Sequence, residues 1–199
     1  YYYRISANDN AGNESSKTSD VTSLPHVTDG DYSLSFDGSN VVTLSSGIGS
    51  SSATASISLW IKPTNIYIEN IIFQEGATLL ISLHETKGIV FGINTVNERK
   101  ELEIPITESD YLNTWKHIVG VYDGSYIRLY VDGAELLSEA LTGNVSLNAD
   151  DALGFGRNID TSGDGYNGYL DEVAYWNDAL TAAEIAALFN SGNPLTATS

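Results

Sequence analysis

Short β-prone runs follow one another down most of the chain, each closed off by turn-forming residues, and this succession limits the fold more than any other feature. The candidate runs are Tyr32–Phe36, Val41–Leu44, Ala55–Lys62, Asn70–Gln74, Leu79–His84, Ile89–Asn94, Glu101–Ile104, Trp115–Tyr122, Ile127–Val131, Ala152–Gly156 and Tyr169–Trp176. In the third of these, Ile57, Leu59 and Ile61 alternate with Ser56, Ser58 and Trp60, the period of a strand with one face in a core. Asp123-Gly124 and Asp132-Gly133 are tight-turn signals on either side of Ile127–Val131. So many short strands at such spacing indicate an all-β sandwich or barrel.

One helix is announced, near the C-terminus. Thr181-Ala182-Ala183-Glu184 has the form of a capping box, in which Thr181 and Glu184 satisfy each other's backbone amides. Leu180 can staple onto Ile185, while Ile185, Leu188 and Phe189 form one apolar stripe. Asn190-Ser191-Gly192 then ends it. A single short helix after many strands is an accessory to a β fold.

Charge narrows the partners. The net charge is −17, with 26 acidic residues against 9 basic ones. After Leu129 the only basic residue is Arg157, against eleven acidic ones. Such a surface repels phosphate backbones and anionic lipid, so neither nucleic acid nor a membrane surface is an expected partner. No apolar run approaches the roughly 20 residues of a membrane helix. There is no Cys, which excludes disulfides and thiolate metal sites. There is also no Met, so the chain is expected to begin inside a larger multidomain polypeptide.

Residues 1–25 read as a pair of strands and a linker, and residues 26–199 as the main domain. Tyr1–Asn8 is rich in β-prone residues, Asp9-Asn10-Ala11-Gly12-Asn13 supplies a turn, Ser16–Thr22 can return, and Ser23-Leu24-Pro25 punctuates. The stretch Tyr2–Ser15 resembles the last strands of a fibronectin type III domain.

An ordered set of motifs also carries a resemblance, to the laminin G-like, concanavalin A-like family. It comprises Leu34-Ser35-Phe36-Asp37-Gly38, Ile57-Ser58-Leu59-Trp60-Ile61-Lys62-Pro63, Trp115-Lys116-His117-Ile118-Val119, Leu129-Tyr130-Val131-Asp132-Gly133, Gly156-Arg157-Asn158, Asn167-Gly168-Tyr169-Leu170-Asp171-Glu172-Val173 and the helix start at Leu180–Ile185. Together they span about residues 30–190. The resemblance implies a two-sheet antiparallel jelly-roll sandwich of about 12 to 14 strands with one short C-terminal helix. It further implies an extracellular or cell-surface location, frequent calcium binding, and a role in glycan binding or adhesion.

Calcium prefers six to eight oxygen ligands. Asp160, Ser162, Asp164 and Asp171 fall at positions 1, 3, 5 and 12 of a loop with Gly165 at position 6, an EF-hand-like spacing without flanking helices. The family resemblance implies a different set, a calcium between the first core strand and the last long one, held here by Asp37 and Asp171 with Asp31 as a further candidate. Asp171 is common to both. The bland alternative is that these are turn-forming residues with solvated carboxylates.

Some families of this fold are glucanases with alternating acidic residues on one strand, and Glu101-Leu102-Glu103-Ile104-Pro105-Ile106-Thr107-Glu108 has a superficial likeness to that motif. Glu101 and Glu103 share a face, but the next positions on that face are Pro105 and Thr107, and Glu108 falls opposite. A charged edge strand is the simpler reading, and no enzyme is expected. Aromatic rings beside polar groups suit sugars, which singles out Tyr166 and Asn167, with Tyr169 beside them, and Trp60, out of phase with its apolar neighbours. A strand histidine such as His117 is ordinarily a hydrogen-bonded packing residue. The expectation is therefore a non-catalytic extracellular carbohydrate-binding or adhesion module, stabilised by calcium and taking a glycan or a surface protein. The alternative is a structural, decoration or filament subunit of a surface or phage virion protein that binds a neighbouring protein.

Overall fold

The computed structural model describes residues 2–3, 21–22, 33–44, 52–67, 69–74, 78–147, 152–158 and 165–192. Two six-stranded sheets make up the body of the protein. In chain order, the helix-bearing sheet comprises β3 (Leu34–Asp37), β5 (Ala55–Pro63), β10 (Lys116–Tyr122), β11 (Tyr126–Val131), β12 (Ala134–Ala140) and β14 (Asn167–Trp176). Its spatial order is β12-β11-β10-β5-β14-β3. The second sheet comprises β4 (Val42–Leu44), β6 (Glu69–Gln74), β7 (Leu79–His84), β8 (Gly88–Asn94), β9 (Arg99–Ile104) and β13 (Leu153–Phe155), in the order β4-β13-β6-β7-β8-β9. Pairing is antiparallel within both sheets. This is the two-sheet antiparallel sandwich that the motifs imply. A separate short pair joins β1 (Tyr2–Tyr3) to β2 (Val21–Thr22); the remainder of residues 1–32 lies outside the described residues.

The core follows from strand alternation. Ile57, Leu59 and Ile61 of β5 join Ile81, Leu83, Phe91, Ile93 and Leu102 of the second sheet in one buried cluster. Packing between the sheets is close enough to require a glycine: a Cβ at Gly120 of β10 would lie 2.6 Å from the Phe91 ring. At the far edge, Lys100 of β9 and Glu139 of β12 form a 2.7 Å ion pair that links the two sheets.

Helix α2 (Ala182–Phe189) is placed as the capping box requires. The Thr181 hydroxyl accepts from Glu184 N–H, and Glu184 Oε2 accepts from Thr181 N–H at 2.8 Å. Asn190 closes the helix in the left-handed region, with φ 45°. Its Ile185 is fully buried with Val119, Val121 and Tyr130 on the outward face of the helix-bearing sheet, and Ala179 and Leu180 pack alongside. Ser56 of β5 holds the approach to the helix, donating to Asp178 O at 2.7 Å and accepting from Leu180 N–H at 2.9 Å.

Two elements go beyond the sequence reading. Strand β12 has the sequence Ala134-Glu135-Leu136-Leu137-Ser138-Glu139-Ala140, rich in good helix formers. It becomes a strand because the Asp132-Gly133 turn, with φ of 50° and 79°, folds it back onto β11. A one-turn helix α1 (Glu108–Tyr111) buries Tyr111 and takes Glu108 off the line of β9.

Candidate functional site

The outward face of the helix-bearing sheet divides in two. α2 covers one half and the other is open; three cross-strand rows run over the face, the third passing under the helix at Trp60 and His117. Asp37 of β3 stands opposite Asn167 of β14. Next, Ser35 of β3, Tyr169 of β14 and Lys62 of β5 stand in register. The third row runs from Asp171 of β14 to Trp60 of β5 and His117 of β10. Alternation puts the intervening Phe36, Leu34 and Leu170 into the core and leaves the polar set outward. Asn167, Tyr169, Lys62 and Asp171 are half-buried, while Ser35 and Asp37 are exposed. Lys62 Nζ sits 6.0 Å from the centre of the Tyr169 ring. Just past Asp171 the strand bulges: Glu172 takes φ 48° and donates its N–H to Asp171 Oδ1 at 2.8 Å. The bulge resets the register of β14 on β5 between Asp171 and Ala174.

Of the aromatic residues that the sequence suggests for sugar contact, the structure withdraws two. Tyr166 is 0% exposed. It packs near Phe36, and its hydroxyl donates to Tyr169 O at 3.1 Å, so it props β14 from within the core. Trp60 is outward as its phase implies, but only 1% exposed, because Phe189 of α2 stacks on it at 5.8 Å. Neither ring has a face for a ligand in this arrangement. Asn167 keeps its place on the open half, its side chain against Gly38. Tyr169, the neighbour of both, is the aromatic residue that the open half presents.

The acidic candidates separate as well. Asp37 and Asp171 lie on one face, but Asp171 is four residues along β14 from the partner of Asp37, about 13 Å at 3.3 Å per residue. Calcium holds its oxygens within about 2.6 Å, so these two carboxylates do not share an ion. Asp37 Oδ1 instead closes its own turn, accepting from Ser39 N–H at 2.9 Å, Ser39 Oγ at 2.7 Å and Asn40 N–H at 3.2 Å. These donors, the Ser39 hydroxyl first, hold the Asp37 pKa below the usual carboxylate value. Asp31, Asp160 and Asp164 lie outside the described residues. Both ends of the segment bearing the last two reach the Asp37 turn. Arg157 donates to Ser39 O, and Gly165 lies so close to Gly38 that a Cβ there would be 1.9 Å from the Gly38 carbonyl oxygen. Among the described residues no three His, Asp or Glu side chains are grouped as a metal ion would need.

The strand with glucanase likeness is an ion-paired edge. Glu101 pairs with Arg99 and Glu103 with Lys87, both at 2.5 Å. Glu108 lies in α1, off that strand. A buried Ser58–His117 contact of 2.8 Å is present, but the Asp132 carboxylate accepts from the His117 backbone N–H at 3.0 Å and not from the ring. With Ser58 2% exposed, this pair has no access for a substrate.

The family model described as the concanavalin A-like lectin/glucanases superfamily matches residues 36–186. A search of curated proteins finds no match. Among solved structures, the native heptameric SAP-like pentraxin from Limulus polyphemus is similar at TM-score 0.63 and 18% identity, over 86% of this chain and 87% of that one. The binding domain of botulinum neurotoxin serotype G is similar at TM-score 0.59 and 18% identity, over 93% of this chain and 50% of that one. The binding domain of Paraclostridial Mosquitocidal Protein 1 gives TM-score 0.54 at 20% identity, over 70% of this chain and 37% of that one. The chain thus spans half or less of either toxin domain. At these identities the likeness is one of fold. Among the described residues no helix is long and apolar enough to cross a membrane.

Proposed function

The chain belongs to the concanavalin A-like lectin/glucanases superfamily, and on that premise we propose that it is a non-catalytic, extracellular carbohydrate-binding or adhesion module. The observation that carries this reading is the open half of the helix-bearing sheet. There an aromatic ring at Tyr169, the Lys62 ammonium, the Asn167 amide and the carboxylates of Asp37 and Asp171 stand on adjacent strands of a rigid sheet. A sugar is recognised by an aromatic face together with donors and acceptors for its hydroxyls, and this set offers both. Two of the solved structures of like fold are themselves binding domains. The ion pairing of Glu101 and Glu103 supports a module without glycosidase chemistry, which needs one carboxyl kept protonated and the other ionised.

Calcium enters the proposal as a stabilising ion. Its candidate ligands are Asp171, Asp37, Asp160, Asp164 and Asp31; Arg157 and Gly165, on either side of Asp160 and Asp164 in the chain, lie beside the Asp37 turn. It would supply positive charge to a chain of net charge −17.

The test is a glycan array probed with the purified chain in calcium and again in EDTA, beside Tyr169→Ala. Binding in calcium that drops tenfold or more in Tyr169→Ala supports the open half as the site. Binding that the substitution leaves unchanged puts the site elsewhere. No binding in either buffer overturns the carbohydrate reading and favours a protein neighbour.

A further inference from the structure

Helix α2 is held by little. Ile185 is its single buried residue, and its other main contact is the Phe189 ring, stacked on Trp60 at 5.8 Å and on His117 at 6.1 Å. Beneath it lie two buried nitrogens, Trp60 Nε1 and His117 Nδ1, that have no hydrogen-bond partner among the described residues. A buried polar atom left unpaired costs free energy that water would restore.

We propose that α2 is an acid-sensitive clasp, which protonation of His117 releases from the sheet so that the Trp60 ring is uncovered beside the Asp171–Tyr169 side of the face. Neutral imidazole suits the closed state: Nε2 is matched with Ser58 Oγ at 2.8 Å, and Nδ1 is left unpaired. Imidazolium donates from both nitrogens, and closed α2 leaves the second proton with no acceptor. Undocking the helix admits water to it. In the closed state burial pushes the His117 pKa from 6.5 down to about 4, against the opposing pull of the Asp132 carboxylate.

On the turn after β11, Asp132 is bonded to the His117 backbone N–H and to Lys116 Nζ at 2.8 Å. On β5, Lys62 lies on the outward face next to Trp60 and against Tyr169. On β14, Asp171 stands on the far side of Trp60 from His117. On β11 and β12, Arg128, Tyr130 and Glu135 engage one another and Asp123. On α2 the one ionisable residue is Glu184, whose pKa is held below the usual carboxylate value by the Thr181 N–H and hydroxyl. The capping box therefore survives at a pH where His117 already favours the open state.

Hydrogen exchange of the α2 amides, corrected for intrinsic rates, tests this between about pH 7.5 and about pH 5. The closed and ordinary values of His117 predict roughly 25-fold faster α2 exchange at the lower pH, through an opening that leaves the amides of β7 and β8 far more protected than those of α2. His117→Phe is expected to abolish the acceleration. No acceleration in the wild type, the same acceleration in His117→Phe, or α2 amides as protected as those of β7 and β8 overturns the proposal. If His117→Phe does not fold, an NMR titration of His117 in Phe189→Ala takes its place. A shift of the His117 midpoint toward 6.5 supports the clasp, and an unchanged midpoint overturns it. Neither measurement requires a glycan, so failure of the binding proposal leaves this one standing.

Discussion

Strand β5 presents Ser56, Ser58, Trp60 and Lys62 outward in strict alternation, yet the four do different work. Ser56 and Ser58 are buried and hydrogen-bonded, one to the approach to α2 and the other to His117. Trp60 is sealed under Phe189. Lys62 is the first of them to stay partly in solvent, and it meets Tyr169 across the strand pair. On β14, Tyr169 and Asp171 lie on the open half, and past the bulge at Glu172 the strand pairs with Ser58 and Ser56, the buried stretch of β5. The strand pattern thus decides which residues face outward, and a helix of eight residues decides which of these are core and which are surface. The covered half contributes stability, and the open half is available for recognition.

The contrast can be broken most severely at Ile185. Truncating a fully buried Ile to Ala costs about 3 kcal/mol through lost burial and the cavity left behind. Urea unfolding of Ile185→Ala is expected to show that loss, whereas Ser35→Ala on the open half should be close to neutral. A loss below about 1 kcal/mol at Ile185 would mean that the helix is not what closes this half.

Acid is the next lever. The His117 pKa is lowered in the folded state, from 6.5 to about 4, so the unfolded or undocked chain binds the extra proton first. The stability it contributes is complete above 6.5 and is lost as the pH falls toward 4, about 2 kcal/mol of it by pH 5. Unfolding midpoints across that range should fall more steeply in the wild type than in His117→Phe. Thr181→Ala comes third. It removes half of the capping box and should lower stability by about 1 kcal/mol, with the helical signal of α2 as the readout.

How much of this could be read in the chain depends on how local each cause is. The capping box was legible because Thr181 and Glu184 are three residues apart and satisfy each other. Most strands were legible because alternation and turn residues are written within a few positions. β12 was not, since its helix formers are overruled by a turn and by pairing with β11. Trp60 and Tyr166 stand out in the sequence as aromatic residues near polar neighbours. Their burial depends on other parts of the chain: Phe189 for Trp60, and the packing around Phe36 for Tyr166. The likeness of Asp37 and Asp171 to a shared ligand pair failed for a related reason. Register separates them by four residues, and register is not visible until the strands are paired.

A small effect on stability gives the sharpest test of the comparison. Tyr169 is half-buried, and its described side-chain partner is Lys62, at the outer limit of a cation–π contact. Contacts of that kind at an exposed site contribute about 0.5 kcal/mol. Tyr169→Ala should therefore lower the unfolding midpoint much less than Ile185→Ala does, while costing tenfold or more in glycan affinity, measured by titration with whichever glycan the array returns. Ile185→Ala should do the reverse, lowering stability by the larger amount and leaving affinity near wild type wherever the protein is folded. If Tyr169→Ala destabilises the protein as much as Ile185→Ala does, the open half is structural surface after all. The division of the face into one half for stability and one for recognition would then fail at its most accessible residue.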